Sequence, residues 1–401
     1  MTKQSIPNIR FKEFNEQWRV SIVDDLTKRF DNLRVPITAS ERVSGETPYY
    51  GANGIQDYVK GFTHEGEYVL IAEDGANNLK NYPVHYVNGK VWVNNHAHVL
   101  SGNKDKLSTL FLKNRLQSIN FEKYLVGGGR AKLNADILMK ISLYLPSLPE
   151  QSAIGSLFAT LDDLLSAYKD NLANYQSFKR TMLSKMFPKN GQKVPEIRLA
   201  GFEGEWEKVQ LGDVLLSMKS GLSRELSSED IGLPVIRANN ISRGILDLNN
   251  NIKYWYVKDP KGANTANYLV HKNDILVNFI NSEAKMGTST IVSEEPIRDT
   301  IYTTNILKLS VKAEFEAYFI FLETFRPVYK NYIKSITKPA VNQASFTTVD
   351  FKKYTFLFPS LPEQRAIGAF FTNLDDLIAS YQTKIENLET LKKKLLQEMF
   401  V

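Results

Sequence analysis

The sequence contains no cysteine, which excludes disulfide bonds and thiolate metal sites. It also has no long apolar run, so we expect no membrane-spanning helix. Its first residues, MTKQSIPNIRFKEF, lack the apolar core of a secretory signal peptide. Together these absences favour a cytoplasmic protein.

The motifs of two catalytic classes are missing as well. An adenine methyltransferase needs a glycine-rich cofactor loop after a strand and an Asn- or Asp-Pro-Pro-aromatic tetrapeptide, and neither is found. The ATP-binding pattern G-x-x-x-x-G-K-[ST] is also absent. We therefore expect no active site in this chain. The alternative is a stand-alone nuclease or methyltransferase with an unrecognised centre.

Length and charge set broad limits on the fold and on the partner. A chain of 401 residues favours two or three domains, and 43% hydrophobic residues are enough to build their cores. The chain has 50 basic and 44 acidic residues, a net charge of +6. A modest positive balance favours a polyanionic partner such as nucleic acid.

The chain contains an internal duplication. Residues 146–187 and 359–400 align without a gap at an offset of 213, with 20 of 42 positions identical. A second repeat opens each half at an offset of 188, at Pro7, Ile9, Arg10, Phe14 and Trp18 and again at Pro195, Ile197, Arg198, Phe202 and Trp206. The second half therefore carries about 25 additional residues between its repeated ends. Like ends with unlike middles indicate two modules that do the same job on different targets.

Each copy of the first repeat predicts a long helix. Pro149 and Pro362 suit the first helical turn, and Glu150 and Glu363 suit its positive end. Apolar residues then recur every seven positions, at Ile154, Leu161, Tyr168, Tyr175 and Met182 and at Ile367, Leu374, Tyr381, Leu388 and Leu395. A stripe of this kind needs a partner. Either each stripe packs on its own domain or the two helices pair with each other, and we favour antiparallel pairing.

Antiparallel pairing has geometric consequences. A helix of about 37 residues is about 55 Å long, so the two modules would lie near opposite ends, related by a pseudo-twofold axis. Because residues 188–206 match the beginning of the chain, the C-terminus should end near the N-terminus in a circular arrangement. The predicted domains are residues 1–150 and 188–360, and the predicted helices are residues 151–187 and 361–401.

The unlike middles, residues 19–145 and 207–358, read as mixed α/β (α+β) domains with many short strands. Side chains that suit base edges or phosphates lie around their turns. In the first module they are Tyr49, Tyr50, Asn53, Asn77, Asn78, Lys80, Asn94, Asn95, His96, His98, Arg130 and Lys132. In the second they are Arg237, Asn239, Asn240, Arg243, Asn278, Asn281, Lys285, Lys338, Asn342 and Gln343. The alternative interpretation is that these Asn residues only build turns.

Two patterns imitate metal sites. Asp274, followed by Glu283 and Lys285, resembles the acid and acid-x-Lys arrangement of nucleases, but its spacing is short for two strands. His96 and His98 would share one strand face, as zinc ligands can, but no third ligand is evident. We expect neither to bind metal.

The doubled Pro-Ser-Leu-Pro-Glu-Gln, Ala-Ile-Gly and Leu-Asp-Asp-Leu helix and the Pro-x-Ile-Arg opening of each half resemble specificity subunits of type I restriction-modification systems. The resemblance covers the whole chain. It implies that each module is a target-recognition domain for one half of a split, asymmetric DNA sequence, and that antiparallel helices set the gap between the halves.

The resemblance also implies partners and cofactors. Two modification subunits would dock on the helices, bind S-adenosylmethionine and methylate adenine N6, and ATP- and Mg²⁺-dependent restriction subunits would join them to cut foreign DNA. This chain itself would bind no cofactor. A competing hypothesis is a coiled-coil scaffold that binds protein only, and DNA binding at low salt would distinguish the two.

Overall fold

The computed structural model describes residues 6–127, 131–242, 244–249, 251–339 and 343–401. The chain divides into two compact units, the first formed by Met1–Asn171 with Tyr381–Val401 and the second by Leu172–Ser380. Each unit therefore contains one half of each long helix. No helix in these described ranges is long and apolar enough to cross a membrane.

The first unit is built around a six-stranded sheet. The strands of the first unit are β1 (Arg19–Ile22), β2 (Thr27–Arg29), β3 (Ser44–Gly51), β4 (Gly54–Val59), β5 (His64–Ala72), β6 (Val84–Val93), β7 (Ala97–Gly102) and β8 (Ser142–Leu145). Its helices are α1 (Val23–Leu26), α2 (Thr109–Gln117), α3 (Ala135–Met139) and the first part of α4 (Leu148–Lys185). The sheet order is β2-β7-β5-β6-β3-β4, and β1 pairs with β8 outside it. The apolar run in β5 is buried from Tyr68 to Ala72, as expected for a central strand.

Aromatic side chains form the centre of the first unit's core. The ring of Phe400, near the C-terminus, lies 5.6 Å from Phe111, 5.9 Å from Phe158 and 6.4 Å from Trp18 between centroids. All four side chains are buried. The last residues of the chain thus belong to the core of the unit that begins at the N-terminus.

The second unit contains the remaining elements. Its strands are β9 (Glu207–Gln210), β10 (Leu215–Ser220), β11 (Gly232–Ile236), β12 (Ile241–Ser242), β13 (Ile245–Leu246), β14 (Lys253–Tyr256), β15 (Ile275–Asn278), β16 (Ile280–Asn281), β17 (Ser289–Ile291), β18 (Ile301–Tyr302), β19 (Ile306–Val311), β20 (Ala344–Ser345) and β21 (Thr355–Phe358). Its helices are α5 (Leu211–Val214), α6 (Ala317–Glu323), α7 (Pro327–Ile336), α8 (Thr348–Lys352) and the first part of α9 (Leu361–Glu398). The two larger sheets have the orders β10-β19-β15-β17 and β14-β11-β18.

The two units correspond element by element at their repeated ends. β1, α1 and β2 recur 188 positions later as β9, α5 and β10, and α3, β8 and α4 recur 213 positions later as α8, β21 and α9. Between them, the parallel pairing of Tyr50 with Val93 recurs as that of Ile236 with Tyr302. The middles therefore fold alike although their sequences show no similarity, and the prediction of two α/β domains followed by long helices is confirmed.

The additional residues of the second half lie mainly in two connections. A two-residue turn, Ala52–Asn53, joins β3 to β4, whereas residues 237–252 join β11 to β14. Gly54 has a φ of +109°, which a residue with a side chain rarely adopts, and this permits the tight turn. Residues 60–63 join β4 to β5, whereas residues 257–274 join β14 to β15.

The prediction that the long helices pack in opposite directions is confirmed within each unit. In the first unit Lys392 of α9 pairs with Asp162 of α4, and Lys169 pairs with Glu389 at 2.6 Å, so numbers fall along α9 as they rise along α4. In the second unit the ion pair equivalent to Lys392–Asp162 joins Lys179 to Asp375. The first aspartate of each Leu-Asp-Asp-Leu motif thus fixes the pairing of the helices.

The apolar stripes of the helices serve both interpretations that the sequence left open. In the first unit Ile154 and Leu161 belong to the domain core, and Leu388 and Leu395 pack against the same core. In the second unit Ile367 belongs to the core, and Met182 packs against it. Of the other stripe positions, Leu374 is buried, whereas Tyr168, Tyr175 and Tyr381 are half-buried. The stripes therefore pair the helices and attach them to their domains.

The contact between Tyr168 and Tyr381 gives a test of the helix pairing. The ring centroids lie 5.6 Å apart in an edge-to-face arrangement. Ring pairs of this kind contribute about 0.5–1.5 kcal/mol beyond the area they bury. We expect Tyr168→Leu and Tyr381→Leu to show a coupling of this size in a double-mutant cycle measured by urea unfolding. Strictly additive effects would contradict the contact.

Each Pro-Glu-Gln motif contains a buried carboxylate that binds an arginine of the second repeat. Glu150 Oε1 accepts from Arg10 Nε at 2.6 Å, and Glu150 Oε2 accepts from Arg10 Nη2 at 2.7 Å. Arg198 makes the same two-pronged contact with Glu363, at 2.8 and 2.7 Å. Both carboxylate side chains are only 1% exposed. The two sequence repeats of each half therefore form one structural joint, which the helix-end interpretation of Glu150 and Glu363 did not include.

The same joint brings the chain ends together in the first unit. The amide of Ile9 donates to the carbonyl of Glu398 at 3.0 Å, and Arg115 donates to the carbonyl of Val401 at 2.8 Å. In the second unit the amide of Ile197 donates to Lys185 at 2.9 Å in the equivalent position. The same backbone hydrogen bond is thus present in both units, although only in the second are its two residues joined by a short stretch of chain.

Candidate nucleic-acid interface

Four connections converge at one end of the first unit's sheet. We name them L1 (residues 51–54), L2 (73–83), L3 (94–96) and L4 (126–133, described apart from 128–130). The Asn53 side chain joins L1 to L2, because its Nδ2 donates to the Gly75 carbonyl and its Oδ1 accepts from the Asn77 amide, both at 2.9 Å. The L3 amide of Asn94 donates to the Tyr50 carbonyl, just before L1, at 3.1 Å.

The beginning of L2 also holds L3 and L4. The amide of Glu73 donates to the carbonyl of His96 in L3 at 2.8 Å. The amide of Leu133 in L4 donates to the carbonyl of Glu73 at 2.7 Å. Four loops are thereby fixed to one another through the end of the central strand β5, so their exposed side chains form one surface.

The second unit builds the same arrangement from different residues. Its loops are L1′ (237–252, described apart from 243 and 250), L2′ (279–288), L3′ (303–305) and L4′ (338–345, described apart from 340–342). Thr303 donates to Ile236 at 2.9 Å, as Asn94 does to Tyr50, and Phe279 donates to Asn305 at 3.2 Å, as Glu73 does to His96. In L4′, Ser345 forms bridges with Lys338 and Ile280. The backbone frame of the surface is therefore common to both units.

A network of ion pairs and hydrogen bonds among charged side chains stabilises L4. Glu73 accepts from Arg34 at 2.7 Å and from Lys132 at 2.9 Å. Burial raises the pKa of Glu73, but the hydrogen bonds from Lys132 and Arg34 together lower it below its ordinary value. The buried His98 connects this network to the sheet, with Nδ1 2.7 Å from Asp31 and Nε2 2.8 Å from the Leu133 carbonyl. The network holds Lys132 at the edge of the surface, 46% exposed.

The two metal-site patterns of the sequence do not assemble into ligand groups in the described residues. These residues contain no group of three His, Cys, Asp or Glu side chains placed to hold an ion. The buried Asp274 accepts from Ser310 at 2.7 Å and from Lys308 at 3.2 Å, whereas Glu283 is exposed on L2′. His96 and His98 contact different carboxylates, Asp74 and Asp31. Both patterns singled out in the sequence have structural partners instead.

Comparison with known proteins decides the family. A family model described as type I restriction modification DNA specificity domain matches residues 15–174 and again residues 203–390. The two matches cover most of the chain and coincide with its two halves. This chain is a type I DNA specificity subunit.

Individual relatives agree with this assignment. A Haemophilus influenzae protein provisionally described as a type I restriction enzyme specificity subunit is 47% identical over 144 residues, which are 36% of this chain and 37% of that protein's own length. The type I restriction enzyme MjaVIII specificity subunit of Methanocaldococcus jannaschii is 21% identical over 96% of this chain and 94% of its own length. A crystal structure of the S subunit from M. genitalium has the same fold, with a TM-score of 0.70 at 15% identity over 99% of both chains.

Most of the side chains proposed to contact DNA lie on these eight loops of the specificity subunit. Asn53, Asn77, Asn78, Lys80, Asn95, His96 and Lys132 are exposed or half-exposed in the first unit, as are Arg237, Asn239, Asn281, Lys285, Lys338 and Gln343 in the second. Tyr50 is half-buried beside L1. Some of these groups also brace the loops. Asn78 accepts from two amides of L2, and Arg237 donates to the Asn251 carbonyl. Their contact with DNA stays a prediction.

Five predicted residues are buried, and we remove them from the proposed surface. Tyr49 is 1% exposed, and its hydroxyl bonds the backbone of Ile37. The other four are buried and have polar partners inside the unit. Asn94 accepts from the amide of His96, His98 bonds Asp31 and Leu133, Asn240 bonds Arg237 and Asp247, and Asn278 donates to Thr288. These polar side chains stabilise the loop frame from inside.

The predicted residues Arg130, Arg243 and Asn342 lie outside the described residues. The described residues that flank these three positions in the sequence belong to L4, L1′ and L4′, respectively. The described candidates Lys132, in L4, and Lys338 and Gln343, in L4′, thus lie on equivalent loops.

Sequence reasoning missed Thr303, Thr304 and Asn305. They form L3′ and are half-buried. The sequence contains a signal for this loop, because apolar runs flank Thr303–Asn305 just as they flank Asn94–His96. A polar triplet interrupting an otherwise apolar strand marks the loop in both units.

Proposed function

We propose that each unit of this specificity subunit reads one half of a two-part, asymmetric DNA site. One observation carries the proposal: the loops L1–L4 and L1′–L4′ share a hydrogen-bonded frame but present different side chains. Asparagine, arginine and lysine on such a surface suit base edges and phosphates. Different side chains on the same frame would give two unlike half-sites.

We further propose that the chain has no active site and acts within a complex. Two modification subunits would bind S-adenosylmethionine and methylate adenine N6, and restriction subunits would use ATP and Mg²⁺ to cleave unmodified foreign DNA in the cytoplasm. The family membership supports these partners. The specificity subunit alone would then neither methylate nor cleave DNA.

Exposed apolar side chains on the helices support docking of one modification subunit to each unit. Leu164 and Leu391 are 37% and 43% exposed in the first unit, and their equivalents Leu377 and Phe178 are 36% and 45% exposed in the second. Large apolar side chains repeated on an outer helical face are typical of protein contact surfaces. The paired helices would also set the gap between half-sites.

Mapping N6-methyladenine in cells that carry this chain with its modification partner tests the proposal. We expect a two-part motif with a fixed gap. Replacing residues 1–150 with those of another specificity subunit, one that keeps the equivalents of Arg10 and Trp18, should change one part of the motif only. A change in both parts, or a continuous motif from the parent chain, would contradict two independent readers.

A further inference from the structure

His96 and Asn305 occupy equivalent positions on a rigid backbone. The carbonyl of His96 accepts from the Glu73 amide at 2.8 Å, and that of Asn305 accepts from Phe279 at 3.2 Å and from Ile280 at 3.4 Å. Two residues earlier, Asn94 and Thr303 are anchored to the preceding parallel strands. Both loops are therefore fixed on two sides. A side chain on such a frame is presented in one orientation, as specific recognition requires.

Among the described residues, His96 Nε2 and the side-chain amide of Asn305 have no hydrogen-bond partner. The Nδ1 atom of His96 lies 2.5 Å from Asp74 Oδ1, while its Nε2 makes no hydrogen bond to any described residue. The His96 side chain is 38% exposed. Asn305 is half-buried, and its amide group has no hydrogen bond within the described ranges. This sets both apart from Asn53 and Asn78 of the first unit, whose side chains brace the loops.

The chemistry of each side chain points to a base partner. A neutral imidazole whose Nδ1 faces a carboxylate carries its proton there, so Nε2 is left as an acceptor. An acceptor suits the exocyclic amino group of adenine or cytosine in the major groove. The side-chain amide of an asparagine, with one donor and one acceptor, matches the N7 and N6 edge of adenine.

We infer that His96 and Asn305 are specificity-determining residues, each contacting one base of the half-site read by its own unit. The base at Asn305 is adenine, and the base at His96 carries an amino group. Asp74 is a positioning residue, because it fixes the proton on Nδ1 and with it the hydrogen-bonding character of Nε2. The inference rests on the proposed function, in which these loops read DNA. It assigns the discrimination between bases to one residue in each unit.

The test uses the full chain assembled with its modification partner in cells, with N6-methyladenine mapped by sequencing. We expect His96→Ala to relax one base position in one half of the motif and to lower methylation at parental sites by roughly tenfold or more. Asn305→Ala should do the same in the other half. His96→Asn should change the preferred base at that position instead of abolishing methylation, and Asp74→Asn should weaken discrimination there only.

Asn88→Ala and Asn190→Ala serve as controls of the same residue type, since both side chains are exposed and lie outside the eight loops. They should leave the motif unchanged. Parental motifs in all His96 and Asn305 variants would overturn the inference, and so would an effect of both alanine variants on the same half. In either case the parent chain still yields its two-part motif. Failure of the proposed function is different, because the parent chain itself would then yield no two-part motif.

Discussion

Glu150→Gln is expected to destabilise the first unit by about 3–5 kcal/mol while leaving the second nearly unchanged. The substitution removes the negative charge from a side chain that is 1% exposed and leaves the Arg10 guanidinium, itself only 11% exposed, without its counter-charge. Glu363→Gln should have the same effect on the second unit, because Arg198 makes the equivalent contact. Such a loss is a large part of the stability of an ordinary domain.

Hydrogen–deuterium exchange of the full chain, read by peptide, separates the two effects. In Glu150→Gln, faster exchange should be confined to peptides of the first unit, including β1 and β8. Asp163→Asn, at an exposed position on the same helix, is the control and should exchange like the parent chain. The double variant Arg10→Met with Glu150→Met should be more stable than Glu150→Gln, since an apolar pair leaves no buried charge. If Glu150→Gln lowers the free energy of unfolding of the first unit by less than about 1 kcal/mol, the Arg10–Glu150 ion pair does not stabilise the unit as expected.

A matched heptad inserted into both long helices is expected to abolish methylation at the original sites and to move it to sites with a longer gap. Insertion after Asp170 in α4 and after Thr383 in α9 keeps the pairs Lys392–Asp162 and Lys179–Asp375 intact within their units. Seven helical residues add about 10 Å, which corresponds to about three base pairs of DNA. The proposal that the helices set the gap demands this change.

The one-sided insertion is the control for the heptad experiment. Seven residues added to α4 alone shift one helix against the other and mismatch their apolar stripes. That variant should assemble poorly and methylate little. If the matched double insertion instead methylates the original motif with the original gap, the helices do not determine the spacing, whatever their contribution to assembly.

The duplication, the two long helices and the main strands could be predicted because their signals are local. The stripe from Ile154 to Met182 repeats every seven residues, and the apolar run in β5 is continuous. Antiparallel pairing also followed from the sequence, since two stripes of equal length are each other's natural partners. In these elements local pattern and tertiary structure agree, as is usual for natural sequences.

The remainder depends on contacts between residues far apart in the sequence. Sequence reasoning assigned Glu150 a helix-end role, because nothing local indicates that Arg10 lies against it. Tyr49 and His98 looked like surface residues because polar groups at strand ends usually are, yet each has a distant polar partner that permits burial. His96 and Asn305 are equivalent only through their backbone hydrogen bonds, and two dissimilar sequences can form the same backbone hydrogen bonds.

The division of the chain has a consequence for its synthesis. The second unit is one continuous stretch, Leu172–Ser380, whereas the first needs Tyr381–Val401 to supply Phe400 and Met399 to its core. Domains usually fold in the order in which they leave the ribosome. Here the second unit can complete its core first, because all its residues precede Tyr381, whereas the first unit also needs residues 381–401. A chain truncated after Ser380 would therefore keep every residue of the second unit and lack the Met399 and Phe400 side chains that complete the core of the first.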